Sequence, residues 1–514
     1  MGVAIAEGES LEVSSIRKVE KIADGLSRPC LLPVMVTVKG CVDPADAYYK
    51  MRTSAPSYLL ESAEGAGKRA RYSFIGTDPL LTLEVKNEGL KIGGNKRLVE
   101  IAKKNIGEIS KDTDSIEIVR RAFLIGKLSI PRIDYPRFVC GPVGYFAYDA
   151  IRRLLDIGEK ASDDLRHPDA EFTLAKNAVV FDHARKKTFV CSNAFISETS
   201  DPKAVYADSL NEIGNKVKQL KKVQRLPHMR TNVEPKADLM SNMTRDEFVI
   251  AVRHVQEHID SGDVLQLVLS RRMETKLKRD PHLVYLALRK INPSPYMYYL
   301  DFGRRKIIGS SPETLVRVEN GEVMTRPIGG TRRRGRSIKE DKEIERKLLS
   351  DRKEREEHMM LVHLGREDIS KVAKVGSVKV RDFMTIDRYS HVMHIVSTVT
   401  GALRKDKDEF DALRANFPAG TVVGAPRLRA MEIIEELEPT RRGIYAGGVG
   451  YFDYRHNMDF AITIRTIVVE GGKAYAQVGA GVVSRSVPEL EFYETENKGR
   501  ALLKAIEMVK TLGE

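Results

Sequence analysis

Tryptophan is absent from this 514-residue chain, and cysteine is scarce: the four residues are Cys30, Cys41, Cys140 and Cys191. None belongs to a C-x-x-C pair, which argues against a zinc site or a disulfide framework and favours reduced, mostly buried thiols. No apolar run approaches the roughly 20 residues of a membrane span. The first residues lack a basic region followed by an apolar stretch, so we expect a cytoplasmic protein without a secretory signal.

The charge is unbalanced towards the basic side, with 85 basic and 72 acidic residues and a formal net charge of +13. Such an excess is compatible with binding of a nucleic acid, with binding of an anionic small substrate, or with a role in solubility alone. Zinc-finger spacing, an aromatic and basic RNA-binding signature and a heptad basic region are all missing from the sequence. A basic nucleic-acid-binding protein is therefore a remote alternative, resting on the net charge and on the run Arg332-Arg333-Arg334.

The patterns along the chain predict an α+β protein with large, mostly antiparallel sheets flanked by helices. Strand-like and helical segments do not alternate regularly, which disfavours a doubly wound sheet. We divide the chain into a polar lead-in at 1–29, an N-terminal region at 30–225, a linker at 226–242 and a second region at 243–514. The linker is placed where proline occurs among few apolar residues.

Local signals predict several elements of the second region. Thr244 and Glu247 form a capping box ahead of a helix that Gly262 closes. Another helix is predicted over PHLVYLALRKI, and a charged helix over roughly 338–365.

One segment is repeated between the two regions. GPVGYFAYDAIR at 141–152 resembles GGVGYFDYRHNM at 447–458. Two interpretations are open. In the first, two buried strands have converged independently on the same packing of small residues. In the second, the chain has two pseudo-similar halves built on a duplicated sheet.

Two glutamate pairs have helical spacing: Glu354 with Glu357, and Glu491 with Glu494. Residues three apart share one face of a helix. Two such pairs from separate helices can hold Mg²⁺, which binds a few carboxylates together with water and substrate oxygens. Because 31% of the residues are charged, solvated helix faces paired with lysine or arginine are the alternative.

Glycine loops and one histidine are further candidates. PIGGTRRRG at 327–335 joins two glycines and a hydroxyl to a basic run, and backbone amides in such loops can bind an anion. It lacks the Gly-Lys-Ser/Thr ending of nucleotide-hydrolase loops. VGAGVV at 478–483 is another glycine loop, for which a tight turn is the alternative. His394 lies in an apolar run and needs a carboxylate partner to act as an acid or base.

Eleven segments together follow the order found in the chorismate-utilising enzymes, which the second region closely resembles. They include SGDVLQLVLSRR, GSSPETLVR, PIGGTRRRG, DRKEREEHMMLV, FPAGTVVGAPRLRAM, VGAGVV and PELEFYETENK. Within this family the chain is similar to the synthase component, component I, of anthranilate synthases. SYLLESAEGAGKRARYSFIG extends the resemblance into the first region. The sequence departs from the family at His363 and Glu367 in LVHLGRED, and at Gly329, Arg333 and Arg427.

The resemblance implies a Mg²⁺-dependent lyase that converts chorismate and ammonia to anthranilate and pyruvate, the first step of tryptophan biosynthesis. Glu357 and Glu494 would bind the metal, with Glu354 and Glu491 ordering its waters. The implied substrate-binding residues are Gly330, Thr331, Tyr451, Arg465, Gly479, Ala480, Gly481 and Lys498. The implied catalytic residues are His394, Glu313, Gln266 and Thr331. In this scheme Glu313 orients His394, which protonates the departing hydroxyl.

The resemblance also implies partners and an inhibitor. A separate glutamine amidotransferase subunit would supply ammonia in a hetero-oligomer, since no cysteine here sits in a glycine turn with a later His and Glu. Tryptophan would inhibit through a site formed by Ser62, Pro295, Tyr296 and Met297. The nearest alternative is component I of aminodeoxychorismate synthase in the folate pathway, which typically carries Lys at position 329. Enzymes that form isochorismate or salicylate are more distant.

Gln266 bears on the choice of nucleophile. Relatives that add water to chorismate carry Lys at this place, where an amine can act as a general base. A neutral Gln cannot abstract a proton, so it suits ammonia, which needs positioning and already has a free lone pair. A hydrogen bond from Gln266 to a neighbouring strand is the structural alternative.

Overall fold

The computed structural model describes residues 28–510 except for the gaps 53–54, 63–70, 87–88, 111–112, 126–135, 227–238 and 390–391. Most of the predicted lead-in and most of the predicted linker lie outside the described residues. Within them the chain forms 21 strands, 11 α-helices and two short 3₁₀ helices.

The strands are β1 (Cys30–Lys39), β2 (Ser57–Glu61), β3 (Tyr72–Lys86), β4 (Gly89–Gly94), β5 (Pro142–Phe146), β6 (Ala170–Asp182), β7 (Lys187–Ile196), β8 (Met240–Ser241), β9 (Gln266–Lys276), β10 (Tyr296–Asp301), β11 (Arg305–Ser311), β12 (Thr314–Glu319), β13 (Glu322–Thr325), β14 (Ile328–Arg333), β15 (Lys379–Arg388), β16 (Val392–Ala402), β17 (Gly424–Ala425), β18 (Gly448–Asp453), β19 (Asn457–Ile462), β20 (Thr466–Glu470) and β21 (Lys473–Val482). The α-helices are α1 (Pro44–Met51), α2 (Lys96–Ile106), α3 (Ser115–Ala122), α4 (Pro202–Lys221), α5 (Arg245–Asp260), α6 (Pro281–Ile291), α7 (Ile338–Ser350), α8 (Arg352–Ser370), α9 (Glu409–Asn416), α10 (Arg427–Leu437) and α11 (Pro488–Lys510). The 3₁₀ helices are Tyr148–Arg153 and Gly420–Val422.

The sheet extends from β6 in two series of paired strands, which we call its two arms. All pairs between named strands are antiparallel. The first arm continues in the order β3, β2, β10, β11, β20, β21 and β9. The second arm continues through β5, β18, β19, β12, β13 and β16, to which β14 and β15 also pair. The predicted α+β class with large antiparallel sheets is confirmed.

The two arms pack face to face, and helices cover their outer faces. Because successive side chains of a strand point to opposite sides, each strand contributes to two cores. In β10, Tyr298 packs between the arms, whereas Tyr299 packs outwards against Tyr285 of α6. In β18, Tyr451 points between the arms, whereas Phe452 packs against α9. The fold therefore has four layers, two sheets enclosed by helices.

The repeated segments lie next to each other and join the two halves. β5 pairs with β18, and Gly144 stands opposite Gly450. Their outer neighbours match as well, since β6 follows β5 and β19 follows β18. A Cβ at either glycine would clash with the backbone of the adjacent strand, so both positions require glycine. The interpretation as pseudo-similar halves is confirmed.

Most local predictions in the second region are confirmed. Thr244 and Glu247 make both capping-box hydrogen bonds at the start of α5, and α6 is the helix predicted from PHLVYLALRKI. The prediction of one charged helix over 338–365 was wrong. The backbone is extended at Asp351, and this residue separates two helices, α7 and α8. The Asp351 carboxylate accepts a hydrogen bond from the Glu354 amide and so starts α8 afresh.

The four cysteines are free, and three of them are buried, as predicted; Cys41 is exposed. No helix among the described residues is long and apolar enough to cross a membrane.

Candidate active site

The four predicted metal-binding glutamates face each other from two helices. Glu354 and Glu357 lie near the start of α8, and Glu491 and Glu494 near the start of α11. Burial raises the pKa of Glu357, and repulsion from Glu354 and Glu494 adds to the rise. Burial also raises the pKa of Glu491, with repulsion from Glu494. The carboxylates are thus close enough to repel one another across the gap between the helices.

Lysines one turn away neutralise part of this charge. Lys353 Nζ lies 3.5 Å from Glu357, and Lys498 Nζ lies 2.7 Å from Glu494. Among the described residues, no group of three or more His, Cys, Asp or Glu side chains is arranged to hold a metal ion. The glutamates could thus supply a hard cation with at most one carboxylate from each helix, and water and ligand oxygens would have to complete its shell.

β14 and β16 bring Thr331 beside His394. The two residues are register partners, and Thr331 Oγ1 lies 3.0 Å from His394 Nδ1. Gly330 has a φ of +54° and interrupts the register just before Thr331. A Cβ at Gly330 would lie 3.0 Å from Glu354 Oε2, so glycine lets this strand approach the carboxylates of α8.

His394 is neutral in this environment. Burial and the nearby charge of Arg465 lower the pKa of His394 to about 4. Its Nδ1 lies 3.3 Å from the carbonyl oxygen of Gly330, a group that only accepts, so Nδ1 carries the proton and Nε2 the lone pair. The predicted orientation of His394 by Glu313 does not form in the described structure: Thr331 and Gly330 are the partners of Nδ1 instead.

Glu313 occupies the turn between β11 and β12 and is only 7% exposed. Burial raises the pKa of Glu313 to about 7, against the opposing effects of the Thr421 hydroxyl, the Ile328 amide and the charges of Arg465 and Lys498. This carboxyl group can therefore be protonated or ionised near neutral pH, which suits a group that transfers a proton.

β21, which contains Gly479 and Gly481 and is called the glycine strand below, has backbone groups that no strand in the described part of the chain pairs with. β20 pairs only with the first part of β21. On the other side, Ser270 and Val268 of β9 stand opposite Gly479 and Gly481, and both donate their N–H groups away from β21. In an antiparallel pair the N–H groups of two opposite residues point either both towards the other strand or both away from it. The N–H groups of Gly479 and Gly481 therefore point away from β9, while that of Ala480, between them, points towards β9. The N–H groups of Gly479 and Gly481 consequently face the open side.

Lys498 borders this open side, and Arg465 lies near the neighbour that it shares with Lys498, Glu313. Lys498 Nζ donates a hydrogen bond to the Gly479 carbonyl at 2.9 Å. Arg465 adopts a φ of +49°, a conformation that is costly for a residue other than glycine and that often marks functional sites. Burial lowers the pKa of Arg465, and its charge reaches both Glu313 and His394. Amides, guanidinium and ammonium together form a site for a carboxylate.

Gln266 begins β9 on the same side of the strand as Val268. A Cβ at Gly479 would lie 3.0 Å from the Val268 side chain, so this side of β9 borders the glycine strand. The Gln266 side chain makes no hydrogen bond to another described residue. The alternative of a hydrogen bond to a neighbouring strand therefore does not hold in the described structure.

The structure separates Tyr451 from the other predicted substrate residues, which corrects that prediction. Its ring lies 4.4 Å from that of Phe138 and 5.9 Å from that of Phe74, between the two arms. Tyr445, which the sequence analysis missed, borders the glycine strand: a Cβ at Gly479 would lie 2.7 Å from its hydroxyl. Burial raises the pKa of Tyr445 to about 12, so this hydroxyl stays protonated and can donate.

Tyr451 instead lines a cavity of about 450 Å³ between the arms. The same cavity is lined by all four residues of the predicted inhibitor site: Ser62, Pro295, Tyr296 and Met297. The pairing of β2 with β10 brings these segments together, with Met297 opposite Glu61. Glu61 is buried, accepts hydrogen bonds from Tyr285 and Arg289, and also lines the cavity. Aromatic rings and a buried carboxylate thus share one enclosed space.

The family described as chorismate binding enzyme matches residues 55–504 of the chain. Anthranilate synthase component 1 of Aquifex aeolicus is 44% identical over 503 residues, covering 96% of this chain and 98% of that protein. The component 1 of Acetivibrio thermocellus is 42% identical over 485 residues, covering 93% and 95%.

Solved structures are similar too. Anthranilate synthase component I from Streptococcus pneumoniae superposes with a TM-score of 0.71 at 34% identity, covering 86% of this chain and 94% of that one. The menaquinone-specific isochorismate synthase from Escherichia coli superposes with a TM-score of 0.68 at 17% identity, covering 95% and 98%, and so shares the fold.

Proposed function

The chain belongs to the chorismate binding enzyme family, and on this premise we propose that it is the synthase component of an anthranilate synthase. It would convert chorismate and ammonia to anthranilate and pyruvate. One observation carries the proposal: Lys498 is paired with Glu494 of α11, donates to Gly479 of the glycine strand and, together with Arg465, acts on Glu313. Chorismate has two carboxylates, and the glutamates and the anion site formed by Arg465, Lys498 and the glycine strand would each bind one of them.

Mg²⁺ is the proposed cofactor, and the facing glutamates support it. Glu357 and Glu494 would bind the ion, while Glu354 and Glu491 would order its waters. When bound, Mg²⁺ supplies the positive charge that lets an acidic surface accept the ring carboxylate of chorismate. The anion site would hold the second carboxylate, and the Tyr445 hydroxyl would donate to the substrate from beside Gly479.

Glu313 is better suited than His394 to protonate the departing ring hydroxyl. A carboxyl group with a pKa of about 7 can carry a proton at neutral pH, whereas an imidazole with a pKa of about 4 cannot. His394 would instead use Nε2 as a base, taking the ring proton that is lost when pyruvate leaves and the ring becomes aromatic. Thr331 would hold the imidazole in this orientation through Nδ1.

We further propose a separate glutamine amidotransferase subunit as the source of ammonia and tryptophan as a feedback inhibitor. The component number in the relatives' names supports a second component. The cavity lined by Ser62 and Met297 supports an aromatic amino acid as ligand, because it combines buried aromatic walls with charged groups. Ser62→Arg should then abolish inhibition by tryptophan, whereas Ser370→Arg, on an exposed helix end, should leave it intact. Equal inhibition of both variants would reject the cavity as the inhibitor site.

The function is tested by supplying chorismate, Mg²⁺ and ammonium to the purified chain. Anthranilate is read by its fluorescence and pyruvate by a coupled assay. We expect both products with ammonium and neither with glutamine. Amination without pyruvate would indicate the folate-pathway relative instead. A folded protein that releases neither product would reject the proposed function.

A further inference from the structure

A second, smaller cavity of about 30 Å³ adjoins Glu313. It lies between α8 and the segment 416–421, and its walls include Glu313, Leu364, Asp368, Asn416, Thr421 and Ile462. This volume admits about two molecules of the size of water. Because Glu313 also faces Arg465 and Lys498, the cavity opens onto the same carboxyl group as the anion site.

The polar atoms of the cavity wall are mainly acceptors. Thr421 Oγ1 is buried and has no hydrogen-bond partner in the described part of the chain, although it lies close enough to lower the pKa of Glu313. Asn416 donates its side-chain amide to the Ala412 carbonyl at 2.9 Å, which leaves its carbonyl oxygen available. Asp368 is buried and contributes a carboxylate that is already paired with Arg427 and with Lys371. A small ligand rich in N–H donors would satisfy this lining.

We propose that this cavity binds ammonium and delivers it as ammonia to chorismate past Glu313. The inference rests on the proposed function, because it identifies the place from which the nitrogen nucleophile reacts. Ammonium has four N–H donors and no acceptor, and its charge opposes that of Glu313. A neutral water molecule would meet the acceptors with only two donors.

The proton balance supports this placement. The Glu313 carboxylate takes one proton from ammonium, which frees the nitrogen lone pair. Ammonia then forms a C–N bond at the ring carbon as the ring C–O bond breaks. The departing hydroxyl takes the proton from Glu313 and leaves as water. Ammonium and chorismate thus give a ring ammonium group and water, with Glu313 returned to its ionised form. A carboxyl group with a pKa of about 7 suits both halves of this transfer.

The test compares Thr421→Val with Thr173→Val. Both changes replace a buried threonine hydroxyl that has no partner among the described residues, but Thr173 lies in β6 and outside the small cavity. We expect the KM for ammonium to rise about tenfold or more in Thr421→Val, the effect of losing a hydrogen bond to a charged group, with the KM for chorismate unchanged. Thr421→Ser keeps the hydroxyl and should restore the KM for ammonium. Thermal melting of each variant checks that the fold is intact.

Trimethylammonium gives a second measurement that needs no variant. A cavity sized for about two water molecules should exclude an ion with four heavy atoms, so it should neither replace ammonium nor compete with it in the wild-type chain. Competition by trimethylammonium, or the same KM for ammonium in Thr421→Val and Thr173→Val, would overturn the ammonium site while leaving the proposed function standing. Failure of the wild-type chain to make anthranilate from ammonium would overturn the function and the site together.

Discussion

Two tyrosines six residues apart allow a sharp comparison, because the structure assigns them to different sites. Tyr445 borders the glycine strand, and Tyr451 lines the cavity between the arms. Tyr445→Phe and Tyr451→Phe each remove one hydroxyl and keep the ring. Neither hydroxyl has a hydrogen-bond partner among the described residues, so the two variants should fold with similar stability.

The size of the effect follows from the group that the hydroxyl would meet. A hydrogen bond to a charged group contributes about 1.5–3 kcal/mol, and the Tyr445 hydroxyl faces the strand edge where a substrate carboxylate would bind. Tyr445→Phe should therefore lower kcat/KM for chorismate about 10- to 100-fold. Tyr451→Phe should leave kcat/KM for chorismate unchanged and weaken inhibition by tryptophan, because its hydroxyl faces the other cavity.

Initial rates of pyruvate release at varied chorismate, with and without tryptophan, measure both quantities in one assay. Matched melting temperatures would assign the losses to the sites and not to the fold. The opposite pattern, in which Tyr451→Phe impairs chorismate turnover and Tyr445→Phe does not, would refute the assignment.

Three further predictions concern the site. Glu357→Gln or Glu494→Gln should abolish turnover and weaken Mg²⁺ binding measured by calorimetry while the melting temperature holds; activity that survives a chelator in both variants would contradict the metal site. Gln266→Lys should lose most anthranilate formation and yield detectable isochorismate by chromatography, since an amine can activate water; wild-type anthranilate formation would show that Gln266 does not select the nucleophile. Burial raises the folded-state pKa of Glu313 from 4.5 to about 7, so the folded state loses stability through this carboxyl as the pH rises from about 4.5 to about 7. Glu313→Gln should therefore gain up to ~3 kcal/mol over wild type between about pH 5 and about pH 8, seen as a growing difference in melting temperature; a difference that is constant with pH would refute the raised pKa.

The local elements and the inventory of chemical groups could be predicted from the residues alone. The capping box at Thr244 and the amphipathic pattern of α6 are short-range signals, because helix hydrogen bonds join residues four apart. The spacing of the glutamate pairs fixed which carboxylates share a helix face. The order of the motifs indicated the family. The division of one predicted helix at Asp351 was missed, since a single capping residue decided it within an otherwise continuous charged pattern.

Which of these groups meet depends on how distant strands pair and pack. Tyr445 and Tyr451 belong to one continuous segment, and nothing in its residue types distinguishes the wall of one site from the wall of another. The direction of each side chain depends on the strand that pairs with β18 and on the sheet that packs over it, and both come from distant parts of the chain. His394 is likewise positioned by Thr331, and the pKa values of Glu313 and His394 depend on the charge of Arg465, which is remote in sequence from both. Pairing across long separations sets these contacts, because each strand presents its two faces to different layers of the fold.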